Sequence, residues 1–225
     1  LTFPATTPVP GIATHGSAVS AHPRVGGAAS SAAPRLVVGI TGSSAPHYGI
    51  MLLRTLKELG TVETHLVMSN QARTTIRIEA GMDPDEVSSF ADVVHDPANL
   101  AAPISSGSFS TIGMVVVPCS MKTLAAIAHG FTPDLLTRAC DVALKERRRL
   151  VIVPRETPLS LIHLRNMVAV TEAGATVLPP MPAFYHHPHT VDEVIAQTVG
   201  KVLDQFGIEH DLFARWTGSN TEEHA

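Results

Sequence analysis

The chain is short of the residues that mark several common kinds of protein. Its 225 residues include two cysteines, Cys119 and Cys140, and no CxxC pair. Two thiols cannot make a disulfide framework, which points to a reducing cytoplasm. There is no basic surplus: 16 Lys and Arg face 20 Asp and Glu, for a net charge of -4 with 12 histidines counted neutral. Nucleic acid is therefore not an expected partner. No apolar run reaches the roughly 18 residues that a membrane span requires, so no membrane is expected either. Aromatic residues are only 4% of the chain, whereas hydrophobic residues are 44%. What fills that fraction is mostly Val, Ile, Leu and Ala, the composition of parallel strands buried on both faces.

Residues 1–34 stand apart. They are rich in Pro, Ala, Gly, Ser and Thr, and Arg24 is their only Lys, Arg, Asp or Glu. Such a stretch buries too little apolar area to offset ordering, so a flexible tail is expected. It lacks the charged start and continuous apolar stretch of a secretory signal. Residues 35–218 read as one domain and 219–225 as a short C-terminal tail. Within the domain, apolar runs such as "RLVVGI", "TVETHLVM", "GMVVVP" and "LVIVP" alternate with helical patterns. In "HYGIMLLRTLKELG", Tyr48, Leu52, Leu56 and Leu59 share one stripe that stops at Gly60. Thr132 with Pro133, and Thr157 with Pro158, are expected to open two further helices. Thr190 and Glu193 are expected to form a capping box. The alternation predicts an α/β fold: a Rossmann-like, doubly wound, mostly parallel sheet with helices on both faces.

In such a sheet ligands collect beyond the carboxyl ends of the strands, so the residues after each strand are the candidates. After the first comes "GITGSSAPHYG", Gly39 to Gly49. Gly42, Ser43 and Ser44 there let backbone amides approach a phosphate or a flat ring. The loop is neither a P-loop nor a clean GxGxxG, and a plain tight turn reads equally well. Ser69 and Ser120 each sit where a helix cap or a phosphate ligand would sit. Cys119 reads as an inert buried thiol rather than a nucleophile. The loop "SSGSFST" carries Ser106 and Ser108. Arg138 and Lys145, seven residues apart on one helix, share a face. Arg155 and Glu156 follow "LVIVP", and "PMPAFYHHPHT" holds Tyr185 with three histidines but no Asp, Glu or Cys at ligand spacing, so no metal is expected. One carboxylate among cations, beside glycine and serine, suits a cofactor phosphate plus an anionic substrate.

The segments "GITGSS", "VPCS", "RACDVALKERRRLVIVPRETPLSLIHLRNM" and "PAFYHHPHT" resemble the UbiX-type flavin prenyltransferases, and the similarity runs from about Arg35 to Gly218. The long block from Arg138 to Met167 is the most specific part. The resemblance implies a homo-oligomer, a dodecamer, that binds FMN. It implies transfer of a dimethylallyl group from dimethylallyl monophosphate to N5 and C6 of reduced FMN, giving prenylated FMN for a UbiD-type decarboxylase. It also implies the roles of residues. Ser44 would stand near the flavin N5, with Ser69 at the FMN edge and the Ser106–Gly107–Ser108 loop beside it. Glu79 and Glu156 would be an acidic pair. Lys145, Arg155 and Tyr185 would hold the substrate phosphate, joined by Lys201, which stands where an arginine is usual. Arg138 would be a further FMN or phosphate contact, and Trp216 in "ARWTG" would close over the site. The family loop usually reads Gly-Ala-Ser-Gly-Ala, so Ala45 and Pro46 are departures. Two other readings are a flavin-dependent decarboxylase and an FMN carrier or accessory subunit of an aromatic acid decarboxylase.

Overall fold

Six runs rich in branched aliphatic residues become six strands in the computed structural model of the chain, which describes residues 33–218. They are β1 (Arg35–Ile40), β2 (Glu63–Met68), β3 (Val93–His95), β4 (Gly113–Cys119), β5 (Arg149–Pro154) and β6 (Thr176–Val177). The order across the sheet is β3-β2-β1-β4-β5-β6. Every pairing is parallel, so the sheet is wholly rather than mostly parallel. Each strand is joined to the next by a crossover long enough to return the chain to the starting edge, which is what a parallel pair demands. The expected tails fall almost entirely outside the described residues. Among the described residues no helix is long and apolar enough to cross a membrane.

Successive strand residues point to opposite faces, and both faces are covered. Leu36, Val38, Ile40, Val115, Val117, Val151 and Val153 pack in one cluster with Leu52, Leu53 and Leu56 of α1 (His47–Leu59). The same cluster takes Ile195, Val199, Val202 and Leu203 from the last helix, Val191–Gln205. Val37, Met114, Val116, Leu150 and Ile152 point the other way. They meet the helices Met121–Ala128, Leu135–Lys145 and Leu161–Glu172. All seven residues of β4 are buried, which is why its sequence shows no polar alternation.

The remaining α-helices are α2 (Asn70–Thr75) and α3 (Pro84–Ser88). The four just described are then α4 (Met121–Ala128), α5 (Leu135–Lys145), α6 (Leu161–Glu172) and α7 (Val191–Gln205). α2 runs on into a π-helical turn, Ile76–Ala80, and stops at Gly81 with φ +62. Two helix starts differ from expectation. Asp134, not Thr132, caps α5; its side chain takes the Thr137 amide, and Thr137 reciprocates, so Pro133 lies outside the helix. Ser160, not Thr157, caps α6 because His163 completes a capping box with it. Thr190 does cap α7, but Glu193 accepts from the His189 amide instead of the Thr190 amide, one residue further out.

One helix keeps much of its apolar surface in water. In α6 only Asn166 and Val170 are buried, while Leu161, Ile162, Leu164 and Val168 are exposed, Ile162 by 69%. Met181 and Phe184 are exposed on the segment that follows β6. Apolar area of this kind is characteristic of a face that another protein surface covers.

Candidate active site

The strand order reverses between β1 and β4, and the cleft beyond their tips is where such sheets hold ligands. Thr41, the residue after β1, fastens those two tips. Its hydroxyl donates to the Pro118 carbonyl and accepts from the Ser120 amide, both at 2.8 Å. Gly42 passes so close to α2 that a Cβ there would stand 2.3 Å from the Gln71 Cβ. The Ser43 hydroxyl donates to the Arg155 carbonyl at 2.8 Å, tying the β1 loop to the tip of β5. Next, one carboxylate oxygen of Glu79 accepts from the Ser44 hydroxyl at 3.0 Å and from the Ala45 amide at 2.7 Å. The π-helical turn carries Glu79 to this loop, whose Ala45 holds φ +65.

Two helices begin at the same cleft. The Ser69 side chain accepts from the Ala72 amide of α2, and that of Ser120 accepts from the Thr123 amide of α4. Both serines are thus caps, and their helices present amides to a cavity of about 220 Å³ lined by Thr41, Gly42, Ser69, Gln71, Ser120 and Lys122, among others. Amides at helix starts plus an ammonium suit a phosphate. A wider, apolar groove of about 540 Å³ opens beside it, sharing Lys122, Thr123 and Asp134 and bordered by Ala126 and Phe131. Cys119 is fully buried and burial pushes its thiol far up, so it is no nucleophile.

At the β5 tip, Arg155 and Glu156 are exposed and border a cavity of about 230 Å³ with Leu159, Met167 and Met181. The Arg155 amide donates to the Cys119 carbonyl, and a Glu156 oxygen accepts from the Thr157 amide. Burial pushes the Tyr48 phenol up, and the nearby Arg155 guanidinium draws it part of the way back. Tyr185 meets Trp216 edge to face, with ring centroids 6.3 Å apart. Trp216 belongs to the arm that follows α7, residues 208–218. Lys201 pairs with Asp204 at 3.2 Å, and so does Arg215 of the arm, at 2.7 Å. The Arg215 hydrogen bond is the main cause that holds the Asp204 carboxyl down to about 2.

A second group stands elsewhere. Arg138 donates to the Ser105 carbonyl and pairs with Asp141, while Lys145 pairs with Glu146. The Ser106 and Ser108 hydroxyls bond each other at 2.9 Å, and Gly107 passes so close that a Cβ would sit 2.8 Å from the Lys145 ammonium. These residues follow α5 down toward the start of β5. Arg155 lies past the far end of that strand, about 20 Å away at the usual rise of a strand. Lys145 and Arg155 therefore do not converge within one chain. Among the described residues, no three His, Cys, Asp or Glu side chains are grouped as a metal would need.

Three residues at the cleft escaped the sequence reading, Thr41, Tyr48 and Lys122, and so did Asp204 and Arg215, which meet at the end of α7. Lys122 had a signal, two residues past the Ser120 cap. Thr41 had none, because its partners are 77 and 79 positions away.

A sequence profile of the flavoprotein family matches residues 28–204. The flavin prenyltransferase UbiX of Escherichia coli (strain K12) is 56% identical over 187 residues, which cover 82% of this chain and 99% of that protein. The crystal structure of AnUbiX (PadA1) in complex with FMN and dimethylallyl pyrophosphate superposes with a TM-score of 0.81 at 53% identity, covering 83% of this chain and 99% of that one. A dodecameric FMN-dependent UbiX-like decarboxylase from Escherichia coli O157:H7 gives 0.80 at 54%, covering 82% and 100%.

Proposed function

Because the chain belongs to the flavoprotein family, among its UbiX flavin prenyltransferases, we propose that it joins a dimethylallyl group from dimethylallyl monophosphate to N5 and C6 of reduced FMN. The product, prenylated FMN, goes to a UbiD-type decarboxylase. Reduced FMN supplies the two nucleophilic positions. The cleft suits it: the capped helix starts and Lys122 are a seat for its phosphate, and Gly42, packed against Gln71, holds the β1 loop close to those helix starts.

The observation that carries this reading is one hydrogen-bonded unit at the cleft. Glu79 holds the β1 loop through Ser44 and Ala45, and Ser43 holds the Arg155 backbone, so that the acid–base pair Arg155–Glu156 stands beside the flavin loop. When the allylic C–O bond breaks, its electron pair leaves with the phosphate. Arg155, Lys145, Tyr185 and Lys201 are the groups that would take up that charge. Bonding at both N5 and C6 releases one proton from each, while the allyl double bond takes up one and the departing phosphate the other; Glu156, directly or through the phosphate, would carry these protons. The Trp216 ring can face the cationic allyl fragment. Ser106, Ser108 and Arg138, which stand beside Lys145, would contact FMN from a neighbouring copy. Since Lys145 and Arg155 are far apart in one chain, the reading requires a neighbouring copy to supply Lys145. The exposed face of α6 supports a multi-subunit assembly, and a dodecamer like that of the relative is the form assigned here. The cytoplasm is the compartment this reading assigns.

Incubation with reduced FMN and dimethylallyl monophosphate, followed by mass and absorbance of the released flavin, is the test. The wild type is expected to give a heavier flavin with shifted absorbance. Glu156→Gln is expected to retain FMN but return it unaltered; full activity in that variant would remove the role of Glu156. Unaltered FMN from the wild type would favour a carrier.

A further inference from the structure

We infer that Asp204 is a positioning residue, clamping the C-terminal arm onto α7 so that Trp216 is set against Tyr185. The inference rests on the preceding reading only in that Tyr185 and Trp216 border the site; the clamp itself rests on contacts.

Leu212 packs against the core, but the end of the arm that carries Trp216 is exposed. Ile208 is buried, but Trp216 is 66% exposed and the residues around it are exposed too. Its polar anchors converge on one carboxylate. Arg215 places two nitrogens on Asp204, at 3.2 and 2.7 Å, and His210 places Nε2 at 3.2 Å. Lys201 approaches from the helix itself. The Arg215 guanidinium also stacks over the Phe213 ring at 5.4 Å. One acidic residue thus gathers three basic side chains, two of them from the arm.

The helix is shaped to receive that arm. Gly200 lies inside α7, where glycine costs about 1 kcal/mol relative to alanine. A Cβ there would stand 2.4 Å from the Phe213 ring and 2.6 Å from the His210 ring. The glycine is a notch in which the two rings of the arm rest. Phe213 also lies beside His186, with ring centroids 6.4 Å apart. Since His186 in turn abuts Tyr185, and Tyr185 abuts Trp216, the position of the arm fixes the aromatic wall.

Trp216 is the single tryptophan of the chain, so its emission reports the arm directly. In the holoenzyme with FMN bound, Asp204→Ala is expected to shift Trp216 emission to the red and to raise KM for dimethylallyl monophosphate about tenfold, as for truncation of one partner of a charge pair, with FMN affinity retained. Arg215→Ala should reproduce the change, and the double variant should add little to either, since both act through one contact. Gly200→Ala provides a separate route: it improves the helix, yet should also red-shift Trp216 by displacing the arm. A purely structural role predicts a more stable protein with unchanged emission. Unchanged emission in Asp204→Ala and Gly200→Ala overturns the clamp, and if Asp204→Ala does not fold, Gly200→Ala alone decides. If the wild type returns unaltered FMN, the proposed transfer falls while the emission still decides the clamp.

Discussion

Ala45 holds φ +65, a conformation that costs a residue with a side chain about 1–2 kcal/mol. Its amide is nevertheless needed where it is, on the Glu79 carboxylate. Ala45→Gly is therefore expected to keep that bond and relieve the strain, stabilising the fold by about 1 kcal/mol and raising the melting temperature by about 2–4 °C in a scanning measurement. The family resemblance implied that glycine is usual at this place but not which bond keeps the loop in shape. Thr41 shows the limit more sharply. A threonine after a strand has no pattern of its own, and the role comes from two strand tips meeting in space. Thr41→Val should cost about 1–3 kcal/mol, since it leaves the Ser120 amide without its partner and the Pro118 carbonyl with only the amide of residue 41; chemical denaturation and an FMN titration would both register it.

Among the elements, strand number, order of alternation and the helix over 47–59 were legible because apolar period and the stop at Gly60 agree. Helix starts were less so. Two Thr-Pro pairs matched the preference of proline for the first helical turn, but Asp134 and Ser160 each had a partner three residues on, Thr137 and His163, and the reciprocal bonds decided the cap. Replacing Asp134 by alanine should destabilise the protein by about 1 kcal/mol, whereas Thr132→Ala should leave the melting temperature unchanged. The π-helical turn that brings Glu79 to the β1 loop had no sequence signal, because it depends on how α2 packs beneath Gly42.

On the scale of the molecule, ten positions separate Lys145 from Arg155, and in the sequence they read as neighbours. They are not, because a whole strand runs between them, and no pattern within one chain reveals which surfaces of two copies will meet. If a site takes Lys145 from one subunit and Arg155 from another, co-expressing Lys145→Ala with Arg155→Ala should restore roughly a quarter of wild-type activity in mixed assemblies, although each variant alone is inactive. A site formed within one chain would stay dead in the mixture. The greasy outer side of α6, with Leu161 and Ile162 in water, bears on the life of the chain before any such assembly. A copy that has folded but met no sibling is a sticky intermediate, a natural client for chaperones and an easy seed for precipitation. Its heat resistance should rise with dilution reversed: the more concentrated the sample, the higher the unfolding temperature, because finding a sibling is part of becoming stable.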